Sequence, residues 1–367
     1  MPASNNLLSM PVAPDWRAFR DCILRRPRNP GARVHAIELF LDPEVQNAVW
    51  DRFALTTPEP PDSPFHALAR HARVQEFLGY DYVRASLIGM DWPLRREETE
   101  DSADELTRTG GRSFVNEHQG PITNWEEFEA YPWPDPDKAD TAWLEWLSEH
   151  LPEGMCIVGG GGFGHFAEYL SWLMGYETLC FALYDDRDLV RAISDRLLGI
   201  YERITERLLD FERVKMVWGS DDMGFRSGTL IHPDDLREFV LPGHRRMAEI
   251  SHRAGRPYLL HSCGNLKEIM DDLIDDVGID AKHSFEDTIH DLGQEMRLYG
   301  DRIAILGGID VDFLCRATPE QVRDRVRRTL DLLMPGGGYC LGTGNSVANY
   351  IPLENYLTML DEGRRYG

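Results

Sequence analysis

Short runs rich in Val, Ile and aromatic residues recur along the chain, and between them apolar residues return at helical spacing. The runs span 34–40, 80–87, 155–160, 214–219, 257–262, 280–285, 303–309 and 338–341, eight in all. The intervening segments include an amphipathic stretch at 189–211 and one at 232–253, which opens with Pro233 just inside its start. A third, at 319–334, follows Thr318 as N-cap and has Pro319 at its first position. Strands alternating with helices predict parallel βα units of the α/β class. Eight of them with right-handed crossovers predict a closed (β/α)8 TIM barrel. An open doubly wound sheet is the alternative architecture.

Two stretches exceed a minimal barrel. Residues 1–33 form an N-terminal extension with a basic cluster, Arg25-Arg26-Pro27-Arg28, ahead of a single barrel domain at 34–367. Residues 88–154, a long insertion after the second strand, hold five of the nine tryptophans: Trp92, Trp125, Trp133, Trp143 and Trp146. A connection that long is usually functional, so the insertion is expected to cap the barrel or to act as a lid shaping the pocket.

Composition narrows the function classes. With 39 Lys+Arg against 62 Asp+Glu the formal net charge is −23, which disfavours nucleic acid and anionic membrane as partners. A hydrophobic fraction of 42% suffices for a large core, and no apolar run is long enough to span a bilayer. The opening residues lack a basic n-region followed by an apolar h-region, so no signal peptide is expected and the protein reads as cytoplasmic. The six cysteines, at 22, 156, 180, 263, 315 and 340, are too scattered for a disulfide framework. A homodimer is the default expectation for oligomeric state.

In a barrel, reacting groups sit at the C-terminal ends of strands. The polar residues there are Glu38, Asp221, Asp222, His261, Ser262, Cys263, His283, Asp310 and Cys340. His261 and Cys263, two apart on one strand, share a face. If Cys340 reaches across the mouth, the three form a His/Cys/Cys set suited to zinc with one position open. Water or one of Glu38, Glu168, Asp221 and Asp222 would take that fourth position. Asp221 and Asp222 are also the candidate reacting carboxylates, as ligand or general base. The remaining cysteines read as small buried hydrophobes, His283 as a structural histidine and His232 as a helix-start residue. Gly159-Gly160-Gly161-Gly162-Phe163-Gly164 formally matches G-x-G-x-x-G, but no acidic residue ends a following strand about 20 residues on. The run reads instead as close backbone approach to a bulky ligand, and Gly342-Thr343-Gly344-Asn345 as a second open stretch of rim.

From about Val34 to its C-terminus the chain resembles the uroporphyrinogen decarboxylase superfamily. The resemblance is carried by Asp221-Asp222-Met223-Gly224, His232-Pro233 and His261-Ser262-Cys263-Gly264-Asn265. It continues in Gly307-Gly308-Ile309-Asp310 and in the stretch from Gly336 through Tyr339-Cys340-Leu341 to Asn345. Within it the chain is similar to the zinc-dependent, corrinoid-linked methyltransferase branch, whose His-x-Cys…Cys zinc motif is matched by His261, Cys263 and Cys340. The resemblance implies a TIM barrel and a catalytic zinc. It also implies a corrinoid (cobalamin) supplied by a partner protein, and methyl transfer to a thiol or from a methyl ether or methanol-like donor. The decarboxylases' R-Q-A-G-R-Y and F-S-D segments are missing, and their late Gly-x-Gly-His turn is Gly342-Thr343-Gly344-Asn345 here. The alternatives are a metal-independent decarboxylase using Asp221, Asp222 and the rim, and a corrinoid- or tetrapyrrole-binding protein without turnover. The acidic balance makes a neutral or aromatic methyl donor a better fit than a polycarboxylate.

Overall fold

Eight short strands lie where the apolar runs predict them: β1 (His35–Ala36), β2 (Tyr82–Ala85), β3 (Cys156–Gly159), β4 (Val214–Ser220), β5 (Tyr258–His261), β6 (Ala281–His283), β7 (Ala304–Leu306) and β8 (Tyr339–Leu341). The computed structural model describes residues 7–27, 32–101, 103, 105–106, 111–289 and 291–367; Arg28 of the basic cluster lies outside them. The strands follow the order β1-β8-β7-β6-β5-β4-β3-β2, and every neighbouring pair is parallel. Between β1 and β2 side chains bridge the seam: the Tyr82 hydroxyl meets the backbone of Glu38, and Arg84 donates to the Leu39 carbonyl. The α/β barrel architecture is therefore the expected one.

The helices follow local chemistry. Asp15 caps α1 (Trp16–Ile23) by accepting from the Arg17 and Ala18 amides. Burial of Phe19 and Ile23 from α1 contributes about 1.5–3 kcal/mol per side chain. Next come α2 (His66–Leu78), α3 (Phe166–Met174) and α4 (Arg187–Leu209), the last matching the long amphipathic stretch. The segment expected as one helix over 232–253 is two, α5 (Pro233–Phe239) and α6 (Leu241–Arg253). Pro242 has no amide proton to continue the first helix, and its ring crowds the carbonyl four residues back. His232 is the N-cap of α5, its ring nitrogen accepting from the Asp234 amide at 3.2 Å. Thr318 and Gln321 form a capping box at the start of α7 (Pro319–Leu333). The final helix, α8 (Leu353–Tyr366), lies tight on β8. A Cβ at Gly363 would stand 2.5 Å from Leu341 Cδ2, so a larger residue would force the helix off the strand.

The insertion contributes an antiparallel hairpin (Arg96–Thr99 with Arg112–Val115) and two short helices, Trp125–Ala130 and Ala142–His150. Trp92, Phe128, Tyr131 and Trp133 form an aromatic cluster, which Trp92 joins to Tyr169 of α3 at 4.3 Å between ring centroids. On the other side, Asn349, after β8, donates to Asp101 at 2.8 Å and to the Leu106 carbonyl at 2.8 Å. The segment thus contacts both α3 and the loop after β8. Among the described residues no helix is long and apolar enough to cross a membrane.

Candidate active site

The β5 end places His261 on the barrel interior, buried to 2% exposure. Its Nδ1 lies 2.7 Å from Nδ1 of His283 on β6, which is its register partner. His283 Nε2 in turn lies 3.2 Å from the Thr343 carbonyl. A carbonyl can only accept, so His283 carries its proton on Nε2. Burial pushes the pKa of His283 well below the ordinary range and lowers that of His261, so both rings are neutral. His283 Nδ1 is then an acceptor and His261 must donate to it. That assignment leaves Nε2 of His261 as an acceptor.

Two further lone-pair groups meet it. Cys263 Sγ and Asp222 Oδ1 each lie 3.4 Å from His261 Nε2. All three ligand atoms fall within 4.8 Å of one another. The Cys263 amide donates to Asp222 Oδ1 at 2.9 Å and fixes that carboxylate. Burial, and secondarily the Asp222 charge, push the Cys263 thiol up. Asn345 Nδ2 approaches the same sulfur at 3.2 Å. Around one point, then, sit a carboxylate, an accepting imidazole nitrogen and a sulfur, and the donors among them are the Cys263 amide, the Cys263 thiol and the Asn345 side-chain amide. These three groups could hold a cation. An N/O/S donor set of this kind fits zinc, with room for an exchangeable fourth ligand.

Cys340, expected as the third ligand, is not in this group. It belongs to the body of β8 rather than to its end, and its Sγ lies 3.8 Å from Sγ of Cys22 on α1. The nearby charged groups are Asp81 and Arg33, ahead of β2 and β1, at the N-terminal floor. Strand tilt explains the displacement. Each step around a barrel carries register partners along its axis, and β5 and β8 are three steps apart. The position facing Cys263 from the eighth unit is Asn345, beyond the strand.

The expected carboxylates separate into different tasks. Asp221 is fully buried, accepts from the Ala167 and Glu168 amides at 2.9 and 3.0 Å, and so caps α3. It also accepts from His244 Nε2 at 2.9 Å, while His244 Nδ1 meets the Tyr258 hydroxyl at 2.8 Å. With its lone pairs taken, it positions the loop that presents Asp222 and is not available as a reacting base. Glu38 accepts from the Thr343 amide at 2.8 Å and pairs with its hydroxyl, and burial pushes its carboxyl up to about 8. Glu168 pairs with His165 and accepts from the Asp222 amide at 3.2 Å. Asp310 caps the Val311–Arg316 helix. Ser262 Oγ accepts from the Met223 amide at 3.2 Å. Of the residues considered for the fourth position, Asp222 alone joins His261 and Cys263.

A cavity of about 400 Å³ opens beside this group. Glu38, Tyr82, Arg84, Gly161, Gly162, His165 and Ser220 are among its walls. Gly161 and Gly162 hold φ of 100° and 67°, and a Cβ on either would meet nothing within 4 Å. The glycine run thus turns bare backbone toward the cavity, as close ligand approach requires. Ser220 is the register partner of His261, which ties the cavity to the three-ligand group. Sequence reasoning missed Arg84 and Asn345. An arginine interrupting the apolar run Tyr82-Val83-Arg84-Ala85 was the available signal for the first.

Comparison with known proteins gives matches of three kinds. The model of the uroporphyrinogen decarboxylase (URO-D) family matches residues 119–366. A methylated-thiol–coenzyme M methyltransferase of Methanosarcina mazei is 39% identical over 131 residues, 35% of this chain and 32% of that protein. A uroporphyrinogen decarboxylase of Azoarcus sp. is 33% identical over 75 residues, 20% of this chain and 21% of that protein. The matches thus span about a third and about a fifth of these curated relatives. Among solved structures, a methyltransferase from Methanosarcina mazei superposes with a TM-score of 0.67 at 16% identity, covering 95% of this chain and 98% of that one. A protein described as a vitamin-B12-independent methionine synthase from Listeria monocytogenes gives 0.50 at 12% identity, covering 97% of each chain. At such identities these two superpositions speak to the fold.

Proposed function

The chain belongs to the uroporphyrinogen decarboxylase family, and from that premise we propose that it is a zinc-dependent methyltransferase acting between a corrinoid protein and a small methyl acceptor or donor. The observation that supports this reading is the meeting of Asp222 Oδ1, His261 Nε2 and Cys263 Sγ within 4.8 Å, with His261 Nε2 left as an acceptor by the ring's bond to His283. These three residues would hold the ion in place of the His261, Cys263 and Cys340 set expected from the sequence. Zinc bound there supplies a Lewis acid that lowers the pKa of a coordinated thiol or polarises an ether or alcohol oxygen.

The chain's own residues do the rest. His283 and the Thr343 carbonyl keep the proton off His261 Nε2, and the Cys263 amide orients Asp222. Asn345 donates to the Cys263 sulfur and favours its thiolate. Gly161 and Gly162 leave one wall open to a bulky partner, which suits a corrinoid presented by a separate protein. The partial match to the coenzyme M methyltransferase supports the branch.

Decarboxylation of a porphyrinogen is the alternative. It needs several cations to bind several carboxylates, whereas among the described residues the cavity wall supplies one arginine, a histidine paired to Glu168, and His71, which burial keeps neutral. The test is demethylation of free methylcobalamin in the presence of a thiol, followed by absorbance. Zinc-loaded protein is expected to accelerate it and chelated protein to do nothing. Turnover of uroporphyrinogen by metal-free protein, without methylcobalamin demethylation, would reverse the assignment.

A further inference from the structure

Arg84 is the one arginine in the eight barrel strands, and it faces the cavity beside the three-ligand group. Its Nη1 donates to the Leu39 carbonyl at 2.5 Å. Its guanidinium lies over the Trp218 ring at 4.6 Å from the centroid, a contact that fixes the plane of the fork. Nε is buried and finds no hydrogen-bond partner. Among the described residues no carboxylate pairs with this guanidinium, and burial lowers it to about 10, so it stays charged. The residue is half-buried with its Nε sealed from solvent, and a guanidinium so placed without a counter-ion is a ready partner for an anion entering the cavity.

The neighbouring groups do not supply it. Burial pushes the Glu38 carboxyl up to about 8, so it is protonated at neutral pH and engaged with Thr343. Glu168 is occupied by His165. His71, also on the wall, is pushed down to about 4 by burial and is neutral. In a chain of net charge −23, this cavity is locally positive.

The position is suited to a substrate. Trp218, under Arg84, packs edge-on against His283 at 5.6 Å, and His283 is hydrogen-bonded to His261. An acid bound at the free edge of Arg84 would therefore lie two side chains away from the reacting centre. We propose that Arg84 docks a single oxyacid group, a carboxylate or sulfonate, on the small methyl donor or acceptor. The inference rests on the methyltransferase reading for the identity of the substrate, but the binding site itself does not. It also revises the expectation of a neutral or aromatic donor, which followed from the overall charge and could not see a local reversal of it.

The test uses three size-matched methyl ethers and metal-free, full-length protein: 3-methoxypropionate, 2-methoxyethanesulfonate and the neutral 3-methoxypropionamide, titrated calorimetrically. At least one acid is expected to bind tenfold or more tightly than the amide, and the better of the two identifies the oxyacid. Arg84→Gln is expected to remove that preference and Arg84→Lys to keep part of it, since lysine retains charge but not the two-pronged edge. Equal binding of acids and amide by the wild-type protein overturns the proposal, as does a preference that survives in folded Arg84→Gln. The wild-type comparison stands even if a variant fails to fold. These probes need neither zinc nor corrinoid, so an absence of zinc would sink the methyltransferase reading and leave this result intact. Loss of acid preference in a protein that holds zinc would do the reverse.

Discussion

The two ends of the barrel are built from the same kinds of residue and do different things with them. At the floor, His35, Asp81, Cys340, Cys22 and Arg33 come together; at the mouth, His261, Asp222, Cys263, Asn345 and Arg84 do. The floor pairs its groups with one another. Asp81 accepts from His35 at 2.7 Å, from the Asp15 amide at 2.6 Å and from Arg33, and the two thiols lie against each other at 3.8 Å. The mouth is left unfinished: His261 gives its only proton to His283, and Asp222 is held by a backbone amide. The arginine there has a buried N–H without an acceptor. Residue type does not separate a structural polar cluster from a reactive one. The excess of lone pairs or donors left over after local bonding does.

Removing buried carboxylates should break this comparison most strongly. Asp81→Ala and Asp221→Ala each leave buried donors or cations unpaired and are expected to lower unfolding free energy by about 3–5 kcal/mol in denaturant titrations. Asp222 is half-exposed, so Asp222→Ala should move the midpoint little while abolishing metal binding. A large loss of stability in Asp222→Ala would erase the distinction between the two clusters.

The next effect is on pH dependence. The folded state holds the Glu38 proton up to about 8, whereas the unfolded chain releases it near the ordinary carboxyl value of 4.5. The resulting contribution is fully present below 4.5 and is lost as pH rises to about 8. Glu38→Gln mimics the protonated acid and should lack this fall, a difference on the order of a few kcal/mol across that window. His71, with a folded pKa of about 4, acts in the opposite sense between about 4 and 6.5. Tm must therefore be compared between wild type and variant at each pH. Parallel profiles would show that Glu38 is ionised in the folded protein.

A smaller effect tests the imidazole relay. His283→Phe removes the acceptor that fixes the His261 tautomer, and zinc affinity in competition with a chelator should fall about 10–100-fold. Unchanged affinity would mean that His261 is oriented by something else. The smallest effect is at the floor, where Cys340→Ala should cost about 1 kcal/mol of stability.

Much of this was legible in the sequence, and the rest failed for identifiable reasons. Apolar runs located all eight strands, because strands buried on both faces read as near-continuous hydrophobic stretches. His261 and Cys263 could be paired because i and i+2 on a strand share a face. Asp221 and Asp222 could not be told apart, since what separates them is contact with α3 and with β5, and neighbours in sequence looked equivalent. Cys340 was misplaced because closeness around a barrel depends on tilt and on height along the axis, which no one-dimensional spacing contains. Asn345 was visible only as part of an open rim. Its role emerges once Cys263 stands 3.2 Å away.

The most direct test is the zinc content of protein purified without added metal, measured side by side for wild type, Cys263→Ala and Cys340→Ala. About one zinc per chain is expected in the wild type and in Cys340→Ala, and almost none in Cys263→Ala. Zinc near zero in the wild type, zinc retained in Cys263→Ala, or zinc lost in Cys340→Ala would each contradict the assignment of the reactive cluster to the mouth.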